Sequence, residues 1–314
     1  MTSAYTAESI KVNKNLDYVR KNYNLEELSV NIKRRGDLLK LANSLGVNRS
    51  VMGRAMTEFR ILSEFPLLHK SKAPILKNLK VRLERDIFLK LVDVDKIYIR
   101  TLKKKIREWH ENLRENPLLL LTQEQHDMLI GSGFGDGNFC NRHGKNGLFR
   151  ESHSKKQSSY LEWKFNMIRS FTYRTPKFRR YMLKGRIMER YEFNTITHPI
   201  FTFYHNLFYK KGKKVVTRNS LNQLNERSLA IWICDDGSYC KKLKYIIIST
   251  NSFSFREHRL MKTFFKNKWG LSPTIGFRDG KYYYLRFSVE DTKKLTGIIG
   301  SYIPVKELLY KVNG

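Results

Sequence analysis

Two nonapeptides of one design constrain this chain more than any other feature: LIGSGFGDG at residues 129–137 and LAIWICDDG at residues 229–237. Each is an apolar run of helical length ending in Asp-Gly. Each follows polar helix-starting residues, Thr122 to Gln125 and Asn225 to Ser228, and precedes a strand-like segment. A duplicated unit is the simplest source of such a pair. Apolar character on all sides predicts buried helices, and an aspartate at the C-terminal end of a buried helix opposes the macrodipole and loses hydration. Asp136 and Asp236 bear that cost at matching positions, and a bound divalent cation would relieve both. Gly131, Gly133 and Gly135 remove side chains from the first helix, so it is expected to approach the second closely and accept Ile231 and Trp232. Such packing would bring the two Asp-Gly ends together. Two carboxylates converging on Mg²⁺ suit phosphodiester hydrolysis, and oxygen ligands favour Mg²⁺ over Zn²⁺, with Mn²⁺ as a substitute. The alternatives are a glycine-rich phosphate loop, whose GxxxxGK[ST] and GxGxxG spacings are absent, or two buried helices capped by Asp-Gly turns without metal.

The charge balance narrows the substrate. Lys and Arg total 60 against 29 Asp and Glu, a formal charge of +31. A field of that size attracts polyanions, nucleic acid first and an anionic membrane surface second. With 41% hydrophobic and 13% aromatic residues, the chain has the material for packed cores. Three cysteines, Cys140, Cys234 and Cys240, form no CxxC pair, which argues against a disulfide framework or zinc finger and suits a reducing intracellular compartment. Cys140 and Cys240 each lie four residues beyond their aspartates and read as small strand residues. No stretch approaches a membrane span, and the first residues carry no export-type apolar core. His143 and His153, in an expected basic loop, are too little for a metal site.

Along the chain, residues 37–62 read as helix, turn, helix. Leu39, Leu41 and Ala42 mark the first apolar face, Gly46 the turn, and Asn48 or Ser50 the start of a second helix burying Val47, Val51 and Ala55. Asn48, Arg49, Ser50 and Arg54 then face outward as DNA contacts, a solvated helical hairpin being the plainer alternative. Residues 64–120 predict one or two basic helices, with Lys103 to Lys105 on a solvated or phosphate-facing side. Glu115-Asn116-Pro117 marks a boundary. Beyond it, strand texture at 138–150, 158–166, 186–196, 243–250, 273–279 and 282–288 alternates with helical patterns at 160–172, 222–234, 254–268 and 290–299. Adjacent strands in pairs between helices predict an α+β region, not a doubly wound sheet.

The paired nonapeptides resemble the two motifs of single-chain LAGLIDADG homing endonucleases, and residues 121–314 are most similar to the subgroup containing the mitochondrial omega-intron endonuclease. SLAIWICDDGSY, STNSFSFREHRLMKTFFKNKWGL and SYIPVKELLYKV carry the likeness in the second half, and YLEWKF and FYKKGKKVV in the first. The second motif departs from the consensus at Ile231, Trp232 and Cys234 but keeps Asp236-Gly237. The resemblance implies two αββαββα halves, residues 121–218 and 219–314, whose saddle-shaped antiparallel sheets sit in the major groove of duplex DNA. The mainly helical residues 1–63 and 64–120 precede them as an added DNA-binding region and a connector. It implies metal binding by Asp136 and Asp236, with Gly135 and Asp235 contributing through backbone carbonyls. Lys214, or its neighbour Lys213, and Lys311 would organise water or polarise the scissile phosphate.

Base and phosphate readers are expected on the free sheet face: Asn138, Arg142, Lys145, Arg150, Lys155 and Lys156 in the first half. In the second half they are Lys241, Lys242, Lys244, Arg278, Lys281, Tyr283 and Arg286. The function so implied is monomeric, Mg²⁺-dependent, site-specific double-strand DNA cleavage in intron homing. Its rivals are an RNA maturase acting on group I intron RNA and a transcription regulator on an inactive nuclease body.

Overall fold

The computed structural model describes residues 16–30, 32, 35–141, 146–183 and 185–312. The chain divides into two compact units, residues 1–107 and 108–314, the division falling within a helix upstream of Glu115-Asn116-Pro117.

Among its described residues the first unit is helical: α1 (Leu16–Asn22), α2 (Leu25–Val30), α3 (Arg35–Ser44), α4 (Arg49–Glu64), α5 (Ala73–Leu76), α6 (Arg82–Leu91) and the start of α7 (Ile99–Glu115). Gly46 turns the chain between α3 and α4 at a φ of 59°, the left-handed region that glycine enters without a Cβ penalty. Asn48 caps α4, its side chain accepting from the Ser50 N–H. Val19, Ala42, Val47, Met52 and Ala55 form the core, with Leu38 and Val51 packed on it, while Leu39 turns to solvent. Asn48, Arg49, Ser50 and Arg54 are exposed. Residues 64–120 hold three α-helices instead of one or two, and α7 stops before Pro117.

The second unit is the duplicated one. Its first half runs α8 (Gln123–Phe134), β1 (Asn138–Cys140), β2 (Leu148–Ser154), α9 (Ser158–Met167), β3 (Lys177–Leu183), β4 (Arg186–Asn194) and α10 (Pro199–Phe208). A hairpin of β5 (Tyr209–Lys210) and β6 (Lys213–Lys214), then α11 (Arg218–Asn222), leads to the second half. That half repeats the order with α12 (Glu226–Asp236), β7 (Gly237–Cys240), β8 (Tyr245–Ile248), α13 (Phe255–Trp269), β9 (Thr274–Arg278), β10 (Tyr282–Arg286) and α14 (Val289–Ile299). Both halves are αββαββα, and their antiparallel sheets have equivalent strand orders, β1-β2-β4-β3 and β7-β8-β10-β9. Residues 158–166, whose texture suggested a strand, are helix α9. Strand β3 went unpredicted because all seven of its residues are exposed, leaving no buried alternation to read.

The central helices α8 and α12 pack along each other. Both start with capping boxes, Thr122 with Gln125 and Asn225 with Ser228. A Cβ at Gly131 would lie 2.4 Å from the Ser228 carbonyl oxygen and 2.6 Å from Ile231 Cβ, so the expected close approach is present. Gly133 instead admits Phe208 of α10, while Trp232 stacks on Phe134 at 4.8 Å. Among the described residues no helix is long and apolar enough to cross a membrane.

Candidate catalytic centre

The ends of the two central helices differ by two residues. Helix α12 runs through Asp236, and the Gly237 N–H bonds to the Ile233 carbonyl. Helix α8 stops at Phe134: the Gly135 N–H bonds Gly131 O at 3.0 Å, and the Gly137 N–H takes Ser132 O at 2.8 Å. The Asp136 N–H therefore has no helical acceptor, and Oδ2 of Asp235 supplies one at 3.1 Å. A Cβ at Gly135 would lie 2.5 Å from that same oxygen, so the approach requires glycine on one side and admits aspartate on the other.

Two lysines flank this junction with matching contacts. Lys214, on β6, donates to the Gly135 carbonyl at 2.6 Å, and Lys311, in the 3₁₀ segment Lys306–Lys311, donates to the Asp235 carbonyl at 2.8 Å. The carbonyls assigned to metal by resemblance thus hold ammonium groups, each keeping a second lone pair. Burial pushes both lysine pKa values below the usual range, against the pull of the surrounding carboxylates.

Beneath Asp136 lies a buried polar cluster. Lys164 Nζ meets Asp235 Oδ1 at 2.8 Å and Oδ2 at 3.0 Å, and Glu151 Oε2 at 3.0 Å. The Tyr160 hydroxyl donates to Asp235 Oδ1 at 2.9 Å. His153 sits on β2, not in a loop, with Nδ1 3.6 Å from Asp136 Oδ2 and Nε2 3.4 Å from Glu151 Oε1. Burial raises the Asp235 carboxyl, but Lys164, His153 and the Tyr160 hydrogen bond together outweigh it and hold that carboxyl below its ordinary range. Burial pushes Glu151 up to about 8 even with Lys164 opposing, and lowers His153 to about 4 with help from the Lys164 charge. The cluster was missed in the sequence because Glu151, His153, Tyr160 and Lys164 occupy no repeated motif. Their local signals are a strand, β2, that alternates buried and half-buried residues around Glu151 and His153, and the segment YLEWKF, which holds Tyr160 and Lys164.

Asp136 and Asp236 have the opposite character. The Asp136 side chain is 46% exposed, and partial desolvation at the helix junction, then the charge of Asp235, raises its carboxyl. Burial, Asp136 and Asp235 push Asp236 up to about 7. Asp236 forms no ion pair among the described residues, and the Trp232 indole N–H approaches it at 3.3 Å. Two mutually repelling oxygen donors that form no ion pair with a lysine or arginine among the described residues fit a hard divalent ion, and no thiolate competes. Asp136, His153 and Asp235 also bring ligand atoms within 4.8 Å of one another, but there the Lys164 ammonium already neutralises Asp235.

Strand alternation sorts the proposed DNA contacts. Asn138 and Arg150 are cross-strand partners on the free face of the first sheet. They share a hollow of 460 Å³ beside Asp136 with Ser152, Arg179, Arg190 and Asn194, none of which the sequence singles out. Nε of Arg150 and of Arg190 is shielded from solvent without a hydrogen-bond partner. Arg278 and Arg286 alternate onto the free face of the second sheet, Arg286 lying 5.7 Å from the Tyr245 ring. Tyr283 does not: it stands on the helix side, against Phe255 and His258, because it alternates with Tyr282 and Tyr284. Lys155 and Lys156 lie in a 3₁₀ turn after β2, Lys241, Lys242 and Lys244 in the β7–β8 turn, and Lys281 in the β9–β10 turn, so these six are turn residues and not strand residues. Arg142, His143 and Lys145 fall outside the described residues.

The profile of the LAGLIDADG DNA endonuclease family matches residues 126–295, more than half of the chain, and the protein belongs to that family. Among curated relatives, the intron-encoded endonuclease ai4 of Dictyostelium discoideum is 42% identical over 88 residues, 28% of this chain and 54% of the relative. The cytochrome b mRNA maturase bI2 of Saccharomyces cerevisiae is 29% identical over 200 residues, 59% of this chain and 46% of the maturase. The chain thus spans about half the length of each. In fold it is similar to the homing endonuclease I-WcaI, solved bound to its DNA recognition sequence. The TM-score is 0.58 with 22% identity, covering 61% of this chain and 87% of that one.

Proposed function

We propose that the chain is a monomeric, divalent-metal-dependent endonuclease that makes a double-strand break at a long asymmetric DNA site, in the service of intron homing. The observation that carries this is the pair Asp136 and Asp236 at the packed ends of α8 and α12. Desolvation and mutual repulsion raise both, and Lys214 and Lys311 are anchored on the carbonyls of the residues just before them. Asp136 and Asp236 would hold the cations, Mg²⁺ or Mn²⁺, which supply charge stabilisation to the attacking and leaving oxygens of the phosphodiester. Lys214 and Lys311, anchored on the adjacent carbonyls, would orient the scissile phosphate and share or pass a proton at Nζ, which burial makes easier to release. Arg150, Arg190, Arg278 and Arg286 on the free sheet faces would engage the duplex. Exposed Arg49, Ser50 and Arg54 would add backbone contacts outside the cleavage site.

The test is cleavage of linear duplex carrying the intron-free host locus, with Mg²⁺ and separately with EDTA. A unique Mg²⁺-dependent double-strand break is expected. Asp136→Asn and Asp236→Asn should each lower its rate by about 100-fold or more while DNA binding stays measurable. Full cleavage by both variants would overturn the assignment.

A second reading, an RNA maturase, draws on the similarity to bI2 and on a groove of 1380 Å³ between α11 and α13. Lys210, Arg218, Arg256 and Arg259 line it, and none has an ion pair among the described residues. Stimulated splicing of precursor RNA without DNA cutting would select that reading.

A further inference from the structure

Helix α8 ends two residues short of where α12 ends, and the amide this exposes is the amide of Asp136. We infer that the Asp235 side chain is a positioning residue: its carboxylate, clamped by Lys164 and Tyr160, fixes the Asp136 backbone across the junction between halves, and the Asp236 side has no counterpart among the described residues. The inference rests on the nuclease reading only for its catalytic consequence.

The geometry supports it from both directions. Asp235 is buried, and each of its carboxylate oxygens has its own partners. Oδ1 takes Lys164 and the Tyr160 hydroxyl, while Oδ2 takes Lys164 and the Asp136 N–H. Tyr160 also leans on the Ile231 carbonyl at 3.3 Å, tying the clamp to α12 itself. Glu151 closes the far side of Lys164 at 3.0 Å, so the ammonium is held by two carboxyl groups and its ring neighbour Tyr160 at 4.6 Å. In the reverse direction no such clamp exists among the described residues. Residue 135 is glycine, and the turn around Asp236 is completed inside α12 by helical bonding. Asp136 is thus preset by a side chain from the other half before ion or DNA arrives, whereas Asp236 is set within its own half, by its helix, by the Ser249 N–H on its carbonyl at 3.0 Å and by one indole contact.

Two paired variants of the full chain separate the hydrogen bond from the ion pair. Asp235→Ala with Lys164→Met removes the acceptor and the ammonium. Asp235→Asn with Lys164→Met removes the ion pair but leaves an oxygen for the Asp136 N–H. The first readout is amide hydrogen exchange of the metal-free protein, which involves no catalysis. In the alanine pair the Asp136 amide should exchange about tenfold faster or more, with Gly135 and Gly137 little changed, and in the asparagine pair it should stay protected. Equal exchange in the two pairs overturns the inference. If neither pair folds, the wild type decides: an Asp136 amide exchanging at the free-peptide rate overturns the inference, and one as slow as Gly135 supports it. The second readout is single-turnover cleavage with Mg²⁺, expected to fall about tenfold or more in the alanine pair, with DNA affinity kept and rate recovered in the asparagine pair. A chain that cuts no DNA would sink the nuclease reading and leave the exchange comparison standing.

Discussion

Asp136 and Asp236 occupy matching positions in the two halves but have different electrostatic company, and pH exposes the difference. The folded chain keeps a proton on Asp236 up to about pH 7, whereas the unfolded chain gives it up near 3.8. Between those values folding takes up a proton, so stability falls as pH rises through the window. Glu151, raised to about 8, acts in the same sense, while His153, lowered to about 4, acts oppositely but only below its ordinary value of 6.5. Above pH 6.5 the metal-free protein should therefore lose thermal stability as Asp236 and Glu151 ionise. Differential scanning fluorimetry from pH 6.5 to 8.5 should show a steeper decline for wild type than for Asp236→Asn. Mg²⁺ should flatten the wild-type curve by favouring the ionised carboxylates, and parallel curves would show that Asp236 titrates normally.

At the level of elements, packing between α8 and α12 depends on one missing side chain. Gly131→Ala would drive a methyl group to within 2.4 Å of the Ser228 carbonyl and 2.6 Å of Ile231, both on a helix that cannot retreat without moving Asp236. Chemical denaturation should register a loss of about 1–3 kcal/mol. Gly297 in α14 is the control, with open space around it and an ordinary helical backbone, so Gly297→Ala should gain about 0.5–1 kcal/mol. An equal response at the two sites would contradict the close approach. Much of this element was readable beforehand, because capping residues, apolar faces and the Asp-Gly endings all act locally. What stayed hidden is tertiary. Phe208 and not Trp232 fills the space at Gly133 because α10 folds back onto α8, and Lys164 reaches Asp235 only once β2, α9 and α12 are assembled. Tyr283 was misplaced for a simpler reason: a run of three tyrosines gives no cue as to which of them alternates inward.

For the whole molecule, the proposed function makes the +31 charge govern how association with DNA responds to salt, with residues 37–62 expected to add to it separately from the proposed cleavage site. Each phosphate neutralised adds about 0.9 to the slope of log affinity against log salt. Replacing Arg49 and Arg54 with alanine should make that slope shallower by about 2 without changing the rate of cleavage in the bound complex. Fluorescence anisotropy across a salt series, paired with single-turnover cutting, measures both; an unchanged slope would assign those arginines to solvent. The Gly135–Asp235 junction also bears on how such a molecule arises. A homodimer of either half would place glycine against glycine, with no latch, or aspartate against aspartate, with two buried carboxylates in the space of one. The unlike pair is available only to halves that differ in sequence, as the two in this polypeptide do. Once acquired it works as an evolutionary ratchet, since neither descendant could return to pairing with its own copy without first undoing the contact.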